Sequence, residues 1–115
     1  MTKHFRKELE TIKKRILTLG SMVEDLVHDS VQAVDRVDAD LADLIIKKDS
    51  EIDETEVDIE EECLKVLALH QPVAVDLRFI IAVIKINNEL ERIGDQAVNI
   101  AQRVQVIAKR PKPPF

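Results

Sequence analysis

Glu91 and Asp95 lie one helical turn apart in the stretch NNELERIGDQAVNIA, which runs from Asn87 to Ala101, and Asn87, Asn88 and Asn99 lie close by. The surrounding residues read as the middle of a long apolar helix. A carboxylate pair on such a helix costs desolvation free energy unless a positive group sits beside it. That group is either a basic side chain or a metal ion, and the two imply different proteins. A second acidic set lies upstream. Asp49, Asp53, Glu56 and Glu60 follow i, i+4, i+7, i+11, which is one face of a helix. Like charges at that spacing repel unless they are solvated or share a cation.

Three long helices are predicted to position these acids, over about 3–37, 39–70 and 72–109. In the first, Phe5, Leu9, Ile12, Ile16, Leu19, Val23 and Leu26 form a heptad seam that Ser30, Ala33 and Val37 continue. Asp38 or Asp40 can cap the second helix. Its buried side is expected at Leu41, Ile45, Ile52, Ile59, Val66 and Leu69. Gln71–Pro72 supplies the next turn, with Pro72 suited to the first helical position. The third helix carries two apolar stripes. Phe79, Val83, Ile86, Leu90, Ile93, Ala97, Ile100, Val104 and Ile107 form one. Val73, Leu77, Ile80, Ile84, Val98 and Ala101 form the other, interrupted at Asn87, Glu91 and Gly94. A helix apolar on two sides must be covered on two sides. A second bundle is therefore expected to pack here, from a second copy of the chain or from further sequence. The fold class is all-α, an antiparallel three-helix bundle, with residues 110–115 as a Pro-rich linker or tail.

The antiparallel turn brings the acids to one height. With equal rise per residue and a turn near residue 71, level positions on helices 2 and 3 have numbers summing to roughly 142. Asp49 and Asp53 then stand near Glu91 and Asp95. Four carboxylates with asparagine amides nearby make a hard, oxygen-rich site. It suits Mg, Ca, Mn or iron better than the thiolate and imidazole sets that favour zinc. The competing reading is that Arg92, Arg78 or Lys85 neutralises the acids. Nine acidic residues lie between Asp49 and Glu62, and most of them read as a solubilising surface.

Other residues exclude more than they suggest. The paired Glu-x-x-His signature of ferritin-like di-iron bundles is absent, and Asp25-x-x-His28 sits on the outer side of helix 1. His70 reads as a helix C-terminal residue, and Cys63 as a small buried apolar one. No phosphate-cradling glycine loop, nucleophile elbow or Cys/His pair occurs, so no enzyme is indicated. A net charge of −5 and three Phe with no Tyr or Trp argue against nucleic-acid binding. One cysteine allows no internal disulfide, and no leader or spanning stretch is read, so a cytoplasmic location is expected. The charge is uneven. Residues 1–15 hold six Lys/Arg against two Glu, and residues 35–62 hold thirteen Asp/Glu against three Lys/Arg. The basic start reads as a solvated helix end, or else as contact with an anionic partner or membrane surface.

The runs HQPVAVDLR, from His70 to Arg78, and LERIGDQAVNIA, from Leu90 to Ala101, resemble the PhoU family of phosphate-transport and phosphate-regulon regulators. Ile52–Asp53, Cys63–Leu64, Leu67–Ala68 and Lys85–Ile86 extend the likeness. The resemblance implies three-helix bundles, usually two in one chain, where this sequence holds one. It implies paired E(D)xxxD motifs that hold multinuclear iron or other metals on the surface, mapped here onto Asp49-x-x-x-Asp53 and Glu91-x-x-x-Asp95. Glu56, Asn88, Arg92 and Asn99 are expected as supporting residues, and magnesium, manganese, calcium and zinc remain open. It implies a negative regulator connecting the ATPase of the phosphate ABC transporter with a membrane sensor histidine kinase, peripheral to the membrane at most. A homodimer would reproduce the two-repeat arrangement. Alternatives are an accessory protein of another phosphate permease, a metalloenzyme with a carboxylate-bridged cluster, and a structural helical dimer without metal.

Overall fold

The structure, a computed structural model, describes residues 3–111. Its elements are α1 (Lys3–Arg36), α2 (Ala39–His70) and α3 (Ala74–Ala108). They pack up-down-up into a rod 68 × 18 × 17 Å. Residues 112–115 of the expected tail lie outside the described residues.

The α1 seam packs as its spacing predicts. Phe5, Leu9, Ile12, Leu19, Val23, Leu26, Ser30 and Ala33 are buried. Ser30 satisfies its hydroxyl inside the helix, donating to the Val27 carbonyl at 2.7 Å. Val37 departs from the seam. It takes φ 50°, the left-handed conformation that stops α1, and its side chain is exposed. Asp38 then caps α2 by accepting from the Leu41 N–H at 3.0 Å.

On α2, Ala42, Ile45, Ile52, Glu56, Ile59, Cys63 and Val66 are buried. Leu69 is exposed, contrary to expectation, because it falls on the outer side of the last turn. Gln71 ends α2 in the left-handed conformation, its N–H donating to the Leu67 carbonyl at 3.2 Å. Pro72 is not the first residue of α3. Ala74 also takes a positive φ of 53°, so helical geometry is established only beyond it, with Val73 extended ahead of it.

The largest departure is the rotation of α3. Its buried line is Ile80, Val83, Asn87, Gly94, Ala97, Ala101 and Val104, with Leu90 packed against it. That line runs between the two expected stripes and takes members of both. Ile86, Ile93, Ile100 and Ile107, one per heptad, are left 38–52% exposed. Gly94, Ala97 and Ala101 are small, so α3 turns its small residues inward and approaches its neighbours closely.

Candidate metal centre

Asp49 and Asp53 of α2 and Asp95 of α3 present carboxylate oxygens that all lie within 4.8 Å of one another. Antiparallel packing brings them level. Gly94 is buried on α3 beside Asp49, and a Cβ at Gly94 would stand 3.7 Å from Asp49 Oδ1. Asp49 is half-buried, whereas Asp53 and Asp95 are exposed. The trio therefore opens to solvent on one side and is closed on the other.

Among the described residues no basic side chain pairs with the group. Arg92 turns away and pairs with Glu89 at 3.2 Å on the exposed side of α3. Among the described residues neither Arg78 nor Lys85 makes an ion pair, so the basic-partner arrangement is not the one adopted. Glu91 is not a member of the close trio. It bears instead on Glu56, as the strongest of the nearby charges acting on that side chain. Asn88 and Asn99 are exposed and make no hydrogen bond to the cluster among the described residues.

Glu56 has a larger place than its supporting role in the sequence reading. It is a buried charged residue in the core seam. Burial, followed by repulsion from Glu91, Asp53, Asp95 and Asp49, pushes its carboxyl up to about 7. Asp49 is likewise pushed up to about 6 by burial, by Asp53 and Asp95, and by hydrogen bonding to Asp53. Asn87, which reads from sequence as an interruption of a stripe, is buried against Glu56. Its Nδ2 donates to the Glu56 backbone carbonyl at 3.0 Å. Asp49 Oδ1, Glu56 Oε1 and Asn87 Oδ1 are buried oxygens with no hydrogen-bond partner among the described residues. These orphan oxygens lie along two turns of the α2–α3 seam, Asp49 Oδ1 at the carboxylate trio and the other two beside each other at Glu56 and Asn87, and the one at the trio is of the kind a bound cation would satisfy. The only sequence signal for Glu56 was its i+7 relation to Asp49.

The donor chemistry fits a hard cation. Three carboxylates, without sulfur or imidazole, match magnesium, calcium, manganese or iron. Asp49, Asp53 and Asp95 would hold the ion from two helices, and Glu56 would sit behind them.

The fold and this site together define an all-α bundle of surface carboxylates carried on paired helices, and the comparisons say which one. The PhoU domain model matches residues 16–104, and the chain belongs to the PhoU family. It is 41% identical over 105 residues to the phosphate-specific transport system accessory protein PhoU homolog of Aquifex aeolicus, covering 91% of this chain and 48% of the relative. It is 41% identical over 98 residues to the accessory protein PhoU of Escherichia coli, covering 85% and 41%. The crystal structure of PhoU from Pseudomonas aeruginosa superposes with a TM-score of 0.90 at 39% identity, covering 96% of this chain and 53% of that one. PhoU from Streptococcus pneumoniae superposes at 0.81 with 36% identity, covering 87% and 47%. The chain thus spans about half the length of the relatives it matches.

Proposed function

We propose that this chain is a phosphate-signalling regulator that restrains phosphate uptake and the phosphate regulon from the cytoplasm. It would do so by binding the ATPase of the phosphate ABC transporter and a membrane sensor histidine kinase, and so by biasing a conformational equilibrium rather than by catalysis. The observation that carries this reading is the family match over residues 16–104, whose relatives are named as phosphate-transport accessory proteins. Among the described residues no helix is long and apolar enough to cross a membrane, which agrees with peripheral attachment.

Two features of the molecule would serve that role. The first is the acid cluster. A bound multivalent cation supplies positive charge that cancels repulsion among the carboxylates. Asp49, Asp53 and Asp95 hold it from opposite helices and so tie α2 to α3. Iron is the first candidate from the family, with magnesium, manganese and calcium suited to the same oxygens and zinc less so. The second is the exposed isoleucine line of α3. Its Ile100 and Ile107, together with Val31 and Val34 of α1, border apolar grooves that also include Val104 and Arg103. Relatives carry about as much chain again, and a second copy of this bundle is the occupant of matching size. Homodimerisation through the α1–α3 face is therefore part of the proposal.

Deleting the gene in its host tests the regulatory reading. In phosphate-replete medium the deletion should derepress a phosphate-regulon reporter, and the wild-type chain should restore repression. A reporter that stays repressed without the gene overturns it. Derepression of a different phosphate permease alone would favour the accessory role at that permease.

A further inference from the structure

At the C-terminal end of α2 two imidazoles converge on one carboxylate, which lies 62 residues before the second of them in sequence. His4 Nε2 lies 2.7 Å from Glu8 Oε1, and His70 Nε2 lies 3.0 Å from Glu8 Oε2. His4 and Glu8 are one turn apart on α1, and His70 is the last residue of α2. The carboxylate is held in place: its side chain is only 12% exposed. The His70 ring is held too, packed at a tilt against buried Phe5 with centroids 4.6 Å apart. His4 is the exposed member, with a side chain 78% exposed at the start of α1.

We propose that His4, Glu8 and His70 form a second metal site, selective for zinc-class transition ions and separate from the aspartate trio. Two imidazoles and one carboxylate are the donor set of open zinc sites, which keep a fourth position for water. The present ring centroids of His4 and His70 are 6.4 Å apart. Two imidazoles on one zinc ion, with Zn–N near 2.0–2.1 Å, bring their centroids to about 5 Å. The difference is small enough for rotation of the exposed His4 side chain to close it, with Glu8 and His70 staying in place. On binding, each Nε2 exchanges its hydrogen bond to Glu8 for a bond to the ion. A neutral imidazole moves its proton from Nε2 to Nδ1, and an imidazolium releases its Nε2 proton to water and keeps the one on Nδ1. The ion joins the start of α1 to the end of α2. The two sites separate by chemistry: imidazole selects zinc-class ions, and the all-oxygen trio selects hard ones.

Titration of the full chain with Co2+, followed by displacement with Zn2+, tests the site. Wild type should take up one equivalent in a visible-absorbing complex with nitrogen donors, and long-range imidazole NMR spectra should shift at both His4 and His70. His4→Ala, on an exposed residue with little bearing on folding, and His70→Gln should each weaken Zn2+ binding at least tenfold. Asp49→Asn with Asp95→Asn should leave this Zn2+ binding unchanged. The proposal is overturned if zinc does not bind, if both histidine variants bind it as wild type does, or if the aspartate variant abolishes the same signal. Any of those results would leave a hydrogen-bonded His–Glu–His group and nothing more.

Discussion

Asn87 of α3 donates from Nδ2 to the backbone carbonyl of Glu56 on α2 at 3.0 Å, one level away from the carboxylate trio. The bond joins α3 to α2 beside the buried oxygens Glu56 Oε1 and Asn87 Oδ1, which lack partners among the described residues. The amide thus adds a buried cross-link between the two helices that carry Asp95 and the Asp49–Asp53 pair. Asn87→Ala removes the bond and leaves space in a buried seam, and should cost about 1–3 kcal/mol. Urea unfolding of the metal-free protein measures this directly. Asn88→Ala, at an exposed neighbour, should change stability by less than about 0.5 kcal/mol.

The raised carboxyls make stability depend on pH in a stated direction. Asp49 moves from 3.8 to about 6, and Glu56 from 4.5 to about 7. Between the unfolded and folded values the folded chain keeps a proton that the unfolded chain has released. Stability from these groups is therefore greatest below about pH 4 and is lost as pH rises through 6 and 7. The melting temperature of metal-free protein should fall across pH 4.5–7.5 for this reason, and Asp49→Asn with Glu56→Gln should flatten the fall. A slope unaltered in that variant would place its origin elsewhere.

Multivalent cations should reverse the same loss. Binding to the folded state alone raises stability by about 2.7 kcal/mol at a hundredfold excess over Kd. Addition of iron(II) or manganese at pH 7.5 should raise the melting temperature of wild type. Asp49→Asn with Asp95→Asn should lose most of that rise while being more stable than wild type without metal. Glu91→Gln should keep more of the response than either aspartate change, since Glu91 stands outside the close trio. Calorimetric titration ranks the three.

Gly94 faces Asp49 with room for one methyl group, because a Cβ there makes only ordinary contacts at 3.7 and 4.0 Å. Gly94→Ala should fold and gain up to about 1 kcal/mol from helix propensity. The added methyl covers Asp49 Oδ1, so metal affinity should drop even as thermal stability rises. Parallel melting and metal titrations would reveal the opposite signs.

The isoleucine line of α3 gives a test of association. Ile93→Lys with Ile100→Lys leaves the bundle core intact, since both residues are outside it. Light scattering should show a dimer for wild type and a monomer of unchanged helicity for the variant. A monomeric wild type at high concentration would remove the second copy from the proposal.

Cys63 illustrates what sequence order alone conveys. A lone cysteine in an apolar heptad position reads as a small core residue, and in the structure it is fully buried, with its thiol pushed up to about 11 chiefly by burial. The α1 seam, the Asp38 cap and the Gln71 turn were legible for the same reason. Each depends on residues within one or two helical turns, where spacing dictates geometry. The level placement of Asp49 and Asp53 against Asp95 was legible too, since an antiparallel turn and a constant rise determine height along the rod.

Rotation about the helix axis is a different matter. Both stripes of α3 are apolar enough to be buried, and only contact with α1 and α2 selects the line between them. That line puts Asn87 and Gly94 inward, leaves Ile86, Ile93, Ile100 and Ile107 outward, and separates Glu91 from the trio. It also turns Glu56 from one acid among nine into a buried, strongly perturbed carboxyl. The meeting of His4, Glu8 and His70 likewise has no local signal, because it joins the start of one helix to the end of another. The sequence by itself determined three helices, their turns and the height of the acids, all set by short-range periodicity. Tertiary packing decided which side chains at that height face each other, because helix phase is fixed by partners and not by spacing.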